Sequence, residues 1–211
     1  AIGGGSVIDY AKIANIKDIG NNLLKKIHGK LHIGKKKIAK MIAIPTTAGS
    51  GAEVTSGAVI YINKIKFSID NEIIIPDKFF LLPKIIKKNK KNLKASSGFD
   101  AISQSIESII SVKSNNTSLL FARKSLNISL KNYLSFLKNP NFYNSSNMSI
   151  AAMLAGKAIN ISKTTAPHAV SYPFTSHFNI SNGHAVSLTL EKFLKFNYEN
   201  QKKSITNFNL D

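Results

Sequence analysis

Short apolar runs that stop at glycine or proline alternate with helical spacing in the first part of the chain. Residues 1–6 are typical of a strand that runs into a glycine turn, and apolar positions over 7–26 recur at helical spacing, with a break near Gly20. The apolar run 41–44 has strand length and stops at Pro45 in a second glycine-rich loop. This alternation predicts an α/β domain with two strand-to-loop junctions.

A hairpin is predicted after the second glycine-rich loop. Residues 58–62 and 66–69 alternate on either side of Asn63 in the manner of two antiparallel strands. The apolar run 73–75 stops at a proline, and 79–82 predicts one more short buried strand.

Helical spacing dominates after a lysine-rich stretch at 84–94. Three helices are predicted there, at 101–110, 118–137 and 149–161. We therefore place a domain boundary near Asn92, between an α/β domain at 1–92 and an all-helical domain at 93–211.

The basic residues outnumber the acidic ones by 29 to 11, which gives a formal net charge of +18. Arg123 is the single arginine, so lysines make up the remaining 28 basic residues (29 − 1). Nucleic-acid readers normally use the planar arginine fork, so no nucleic-acid partner is expected. A positive field instead favours the encounter with small anionic substrates.

Cysteine is absent from all 211 residues, which excludes disulfides and thiolate metal sites. No charge-free apolar run approaches the roughly 20 residues that span a bilayer, and the first residues do not form an export signal. The sequence therefore predicts a cytoplasmic protein with no membrane partner, whose metal ligands would be oxygen or imidazole.

Glycines and hydroxyls cluster in the two loops that follow predicted strands. The first loop and its helix contribute Gly3, Gly4, Gly5, Ser6 and Asp9, and the second loop contributes Thr46, Thr47 and Ser50. Glycine lets the backbone approach a ligand, and amide groups at a helix N-terminus attract phosphate. A lone glycine triplet is also typical of an ordinary tight turn, but two such loops at one sheet edge favour a dinucleotide cofactor.

A carboxylate and two histidines are candidate ligands for a divalent metal. Asp100 and Gln104 share a helix face because they are four residues apart. His168 and His184 lie in a segment rich in hydroxyls and small residues, which we expect to be a loop. One carboxylate and two neutral imidazoles are a usual metal set. Their spacing is not diagnostic, so a capping aspartate, a solvated glutamine and histidines of the core or surface are the alternative.

Four motifs occur in order along nearly the whole chain. They are Gly3-Gly4-Gly5-Ser6 with Asp9 and Lys12, the run 45–55, Gly98-Phe99-Asp100-Ala101 with Glu107, and Gly183-His184-Ala185. Together they resemble the successive signatures of the iron-containing alcohol dehydrogenase family. The resemblance implies a partial Rossmann-like dinucleotide-binding domain, a helical domain, and a divalent metal, Fe²⁺ or Zn²⁺, between them. It carries the metal set onto Asp100, His168 and His184. It also places Lys66 near the NAD(P)H cofactor.

Two positions depart from the common family pattern. Gln104, whose amide oxygen is a weaker ligand, stands where a metal-binding histidine is usual, and Tyr172 replaces a second histidine near the substrate. Both residues resemble the phosphonoacetaldehyde reductase branch, as do the segments 95–104 and 163–173. That branch reduces phosphonoacetaldehyde to 2-hydroxyethylphosphonate, so a small anionic aldehyde is the implied substrate. The candidate substrate contacts are Lys157, Lys163, Thr164 and Thr165.

The implied reaction is hydride transfer from NAD(P)H to a carbonyl carbon, with the metal acting as a Lewis acid. Tyr172, His177 or metal-organised water supplies the proton, and the sequence leaves this choice open, along with NADH versus NADPH. A general short-chain alcohol dehydrogenase, a glycerol-dehydrogenase-like enzyme and a non-catalytic remnant are the alternatives. The family's opening strands and closing helices are missing from the sequence, so we expect a fragment. A homodimer is compatible with this interpretation.

Overall fold

The computed structural model describes residues 1–17, 25 and 36–200, and it has an α/β part followed by a helical part. The strands are β1 (Ile2–Gly3), β2 (Ile42–Pro45), β3 (Gly57–Ile62), β4 (Ile65–Asp70) and β5 (Lys78–Phe79). The helices are α1 (Gly5–Ala14), α2 (Pro83–Lys87), α3 (Lys91–Ile110), α4 (Asn116–Lys138), α5 (Phe142–Ser162), α6 (Ala166–Phe178) and α7 (Asn182–Asn200). The predicted fold class is confirmed. The predicted first helix beyond residue 17 falls largely outside the described residues.

A parallel sheet in the order β1-β2-β5 forms the base of the α/β part. Ile2 pairs with Ile44, and Gly3 pairs with Pro45. Side chains of α1, of β2 with the residue before it, and of the 3₁₀ turn Ala52–Val54 form one core cluster, made of Ile8, Met41, Ala43 and Ala52. Because parallel strands end at the same edge, the loops after β1 and β2 leave the sheet side by side. The predicted strand 79–82 is instead the two-residue β5.

The predicted hairpin is confirmed as β3 and β4, which pair antiparallel from Gly57–Asp70 to Ile62–Ile65. Asn63 and Lys64 form the turn with φ of 50° and 64°, the left-handed conformation that two-residue hairpins need. The predicted apolar run 73–75 is part of a 3₁₀ turn (Glu72–Ile74). The Asn71 side chain accepts a hydrogen bond from the Ile73 N–H at 3.0 Å, and this local bond favours a turn over a strand.

Helices α3, α4 and α5 pack together around a second core. Its buried members are Ala48, Ile86, Ala101, Phe136, Met148, Ala152 and Ala155. Helix α3 begins ten residues before the predicted start, so position 92 lies in its first turn. Gly51 and Gly156 are in contact, since a Cβ on Gly156 would lie 2.7 Å from the Cα of Gly51. This glycine pair lets the second loop rest directly on α5.

The segment expected to be a loop around the two histidines forms helices α6 and α7. Proline in the first turn of α6 is compatible with a helix start, and Asn179, with φ of 55°, ends the helix in a left-handed conformation. Hydroxyls and an internal Pro173 obscure the helical signal in the sequence. Within the described ranges, no helix combines the length and apolar character that crossing a membrane requires.

Candidate functional site

One cleft of about 660 Å³ lies between the glycine loops, the hairpin and helices α3, α6 and α7. The sequence-predicted residues that line it are Gly4, Gly5, Ser6, Asp9, Thr47, Ser50, Lys66, Asp100, Gln104, Lys163, Thr164, His168 and Tyr172. Its lining thus brings predicted cofactor, metal, substrate and proton-transfer residues together.

The two glycine loops meet at one end of the cleft. The Thr46 N–H donates to the Gly3 oxygen at 2.9 Å, so these two residues hold the loops together rather than line the cleft. A Cβ on Gly5 would lie 2.5 Å from Ser50 Oγ, whereas one on Gly4 would be 3.5 Å from Thr47 Oγ1. Helix α1 begins at Gly5 with no acidic residue in its first turn, so its N-terminus can attract an anion.

Lys12 ties α1 to the end of the second glycine loop. Its buried Nζ donates to the Thr55 oxygen at 2.9 Å, to Thr55 Oγ1 at 3.1 Å and to the Gly57 oxygen at 2.8 Å. Burial lowers the pKa of Lys12, and the nearby carboxylates of Asp9 and Glu53 oppose that effect. With all three donor positions used, Lys12 stabilises the loop pair and is not offered to a ligand.

Asp9 and Lys66 are two charged residues that line the cleft beside the loops. Asp9 Oδ2 accepts a hydrogen bond from the Val59 N–H at 2.9 Å, and burial raises the pKa of Asp9 to about 6 against the opposing effect of Lys12. Burial lowers the pKa of Lys66 to about 8, with Asp9 acting in the opposite direction. The Lys66 Nζ lies 2.8 Å from the centroid of the Tyr172 ring, a cation–π contact.

Tyr172 and His177, the two proposed proton donors, lie in different environments on α6. Burial raises the pKa of Tyr172 to about 12, and the Thr164 side chain acts in the opposite direction. His177 is exposed and does not line the cleft.

Four polar side chains, which we call the Asp100 cluster, converge at the helical side of the cleft: Asp100, Gln104, His168 and Asn182. Asp100 Oδ1 lies 3.2 Å from His168 Nε2 and accepts from Asn182 Nδ2 at 3.0 Å. Asp100 Oδ2 accepts from Gln104 Nε2 at 3.2 Å. The Gln104 Oε1 atom is buried and has no hydrogen-bond partner among the described residues.

Glu107 lies beneath the cluster and is fully buried. One carboxylate oxygen is hydrogen-bonded to His168 Nδ1, and the other accepts from the Thr165 N–H at 2.7 Å and Thr165 Oγ1 at 2.9 Å. Burial favours the neutral His168 ring, but hydrogen bonds to Asp100 and Glu107 outweigh it and raise the pKa of His168 to about 9. Glu107 therefore fixes the orientation of the ring.

The structure does not bring His184 to the Asp100 cluster. His184 is exposed, and Asn182 is the α7 residue that contacts Asp100. Successive helical residues are rotated by about 100°, so the side chains of positions 182 and 184 point about 160° apart, to nearly opposite sides of the helix. Gly183 brings α7 close to α3, because a Cβ there would lie 3.0 Å from the Cβ of Asp100.

The predicted substrate contacts are divided among different environments. Thr164 and Lys163 line the cleft, but Lys163 Nζ forms an ion pair with Asp70 Oδ2 at 2.6 Å. The Thr165 hydroxyl donates a hydrogen bond to Glu107 and does not line the cleft. Lys157 lies away from the cleft, with its Nζ 5.6 Å from the centroid of the Phe121 ring.

Sequence reasoning missed the place of Asn182 and the role of Glu107. Positions 100, 104 and 107 follow the i, i+4, i+7 spacing of one helix face, and this signal identifies Glu107 as a partner of the cluster. Within the described ranges, no three His, Cys, Asp or Glu side chains form a metal-type group, because amides supply two of the four cluster positions.

Comparison with known proteins places both parts of the chain in one family. A family model described as iron-containing alcohol dehydrogenase matches residues 1–83, and one described as the C-terminal part of the Fe-containing alcohol dehydrogenase family matches residues 94–210. This family uses NAD(P)H and a divalent metal.

Three relatives illustrate the similarity. The 4-hydroxybutyrate dehydrogenase of Clostridium kluyveri is 30% identical over 204 residues, which are 94% of this chain and 54% of the relative. The phosphonoacetaldehyde reductase of Streptomyces viridochromogenes is 28% identical over 207 residues, with coverages of 94% and 52%. The crystal structure of sulfoacetaldehyde reductase from Bifidobacterium kashiwanohense in complex with NAD⁺ has a TM-score of 0.86 at 29% identity and coverages of 93% and 53%. The chain thus spans about half the length of these relatives.

Proposed function

This chain belongs to the iron-containing alcohol dehydrogenase family, and we propose that it reduces a short anionic aldehyde with NAD(P)H. The observation that carries this proposal is that one cleft is lined by Gly4 and Gly5 at one end and by Asp100 and His168 at the other. A dinucleotide and an aldehyde held at these ends share one space, as hydride transfer requires.

We place a divalent ion in the Asp100 cluster. We assign the Nδ1–H of His168 as the donor of its hydrogen bond to Glu107. In the neutral form of the ring, the lone pair of Nε2 then points towards Asp100 Oδ1, 3.2 Å away. The lone pairs of His168 Nε2 and Asp100 Oδ1 repel each other unless a cation lies between them. That cation is either a proton or a divalent metal ion. The buried Gln104 Oε1 offers a further oxygen. When bound, the ion polarises the carbonyl oxygen as a Lewis acid and the cofactor supplies the hydride.

Tyr172 is the residue that we assign to hold the proton for the substrate oxygen. Its pKa of about 12 keeps the phenol protonated at neutral pH. The Lys66 ammonium over the ring face supports this orientation of Tyr172 in the cleft. The exposed His177 is not assigned this role.

The names of the three relatives reported above support an anionic substrate. They act on compounds that carry a carboxylate, a phosphonate or a sulfonate on a short chain. Phosphonoacetaldehyde, reduced to 2-hydroxyethylphosphonate, is our specific proposal because segments 95–104 and 163–173 resemble that branch. Lys163 and Thr164 line the cleft and are the anion contacts that we propose.

A general short-chain alcohol dehydrogenase is the second candidate, and one observation favours it. Asp70 already neutralises Lys163, and it also accepts from Ser56 Oγ at 2.5 Å. In that case the cleft offers less attraction for an anion.

Replacing Lys163 with alanine distinguishes the two candidates. For phosphonoacetaldehyde, we expect the kcat/KM of the metal-loaded protein to fall by about tenfold or more, because a charge-assisted hydrogen bond is lost. For propanal, the change should stay within about threefold. Lys157→Ala, away from the cleft, is the matched control and should leave both substrates unchanged. Equal kcat/KM for the two aldehydes in the unmodified protein supports the general dehydrogenase instead.

Substitution at Gly4 tests the cofactor end of the cleft. Gly4→Val places a branched side chain where the cofactor phosphates are proposed to lie, so reduced-cofactor fluorescence should show binding weakened by at least about tenfold, or roughly 1.4 kcal/mol. Gly4→Ala is the control, because its Cβ makes only an ordinary contact with Thr47. Unchanged cofactor affinity in Gly4→Val contradicts the assignment.

A further inference from the structure

Most of the atoms in the Asp100 cluster that can bind a cation are oxygens. Asp100 offers a carboxylate, and His168 Nε2 is the single imidazole nitrogen. The amides of Gln104 and Asn182 donate to Asp100 through Nε2 and Nδ2, and each also carries an oxygen that can bind a cation. Gln104 is buried, and its Oε1 has no hydrogen-bond partner in the part of the chain that the structure describes, so the site has at least one buried oxygen available to a ligand.

The type of ligand atom, nitrogen or oxygen, determines which divalent ion a site binds more tightly. Imidazole suits zinc and iron, whereas carboxylate and carbonyl oxygens suit manganese and magnesium. A histidine at position 182 would present a second imidazole towards Asp100, but this chain has asparagine there. The exposed His184 does not replace it.

We infer that Asn182 gives the cluster an oxygen-dominated donor set, which narrows the usual affinity gap between zinc or iron and manganese. This inference rests on the proposed divalent ion at the Asp100 cluster. It concerns the selectivity of the site, which is separate from whether an ion binds.

The experiment measures Mn²⁺ and Zn²⁺ affinity in the metal-free protein, by calorimetry for Mn²⁺ and by competition with a chelating dye for Zn²⁺. Asn182→His should tighten Zn²⁺ by at least about tenfold and Mn²⁺ by less than about threefold, because nitrogen replaces oxygen. Asn182→Asp keeps the shape of the side chain and adds a negative charge, so its Zn²⁺/Mn²⁺ affinity ratio should stay at least about tenfold below that of Asn182→His.

His184→Ala is the control on the same helix and should change neither affinity by more than about twofold. The inference is overturned if Asn182→His tightens both ions equally or neither, or if His184→Ala loses the ion. If neither ion binds to the unmodified protein or to Asn182→His, the proposed metal function itself fails. The Asn182→Asp comparison still reports on selectivity if Asn182→His does not fold.

Discussion

Replacing Glu107 with alanine is expected to lower the free energy of unfolding by about 3–5 kcal/mol, the range measured when one partner of a buried ion pair is removed. The fully buried carboxylate is hydrogen-bonded to His168 Nδ1 and to the N–H and hydroxyl of Thr165. Each of these donors would lose its acceptor, His168 in a buried position and Thr165 in a half-buried one, and the side chain would leave a cavity. Urea unfolding of the metal-free protein, followed by circular dichroism, measures the change.

Two further variants separate the hydrogen bonds of Glu107 from its volume. Glu107→Gln keeps the size and one acceptor oxygen, so we expect a smaller loss of stability than in Glu107→Ala. Glu191→Ala removes an exposed glutamate from α7 and should shift the free energy by less than about 0.5 kcal/mol. Equal losses in Glu107→Ala and Glu191→Ala would show that the contacts of the buried carboxylate contribute nothing.

The local fold could be predicted where hydrophobic periodicity and turn residues agree. Asn63 and Lys64 accept the left-handed turn, and the strands beside them alternate, so the hairpin was predictable. The segment from Ala166 to Asn200 was not, because the hydroxyls and Pro173 weaken its helical signal. There the packing of α7 on α3 prevails over local preference.

The candidate site shows a similar division. Glycine loops next to short strands predicted that the two loops meet at one end of the cleft, since the backbone itself forms that feature. Cofactor binding at this end stays a prediction. Whether position 182 or position 184 reaches Asp100 depends on which side of α7 faces α3. The close approach of α7 to α3 at Gly183 determines that orientation. Lys163 was predicted to contact substrate, yet its pairing with Asp70 depends on a hairpin distant in sequence. Spacing along one chain segment carries no information about such long-range contacts.

Asp100→Ala is expected to weaken divalent-ion binding by at least about 100-fold. Removing a residue that only orients a metal ligand weakens metal affinity by about 10- to 100-fold, so a larger loss is expected for a direct ligand. Asp100 is the single carboxylate of the cluster and contacts the other three side chains. Its removal leaves one imidazole and two neutral amides, which cannot balance the charge of an ion in a buried site. Calorimetric titration with Mn²⁺ measures the loss.

Asp70→Ala is the matched control for Asp100→Ala, because Asp70 lines the same cleft but pairs with Lys163 outside the cluster. Removing Asp70 frees a lysine and should leave ion affinity within about threefold of the unmodified protein. An equal loss in both variants would mean that the ion responds to the net charge of the cleft, whereas a loss confined to Asp100→Ala assigns the ion to that carboxylate. Unchanged affinity in Asp100→Ala would place the ion elsewhere, because no other side chain of the cluster offers it a negative charge.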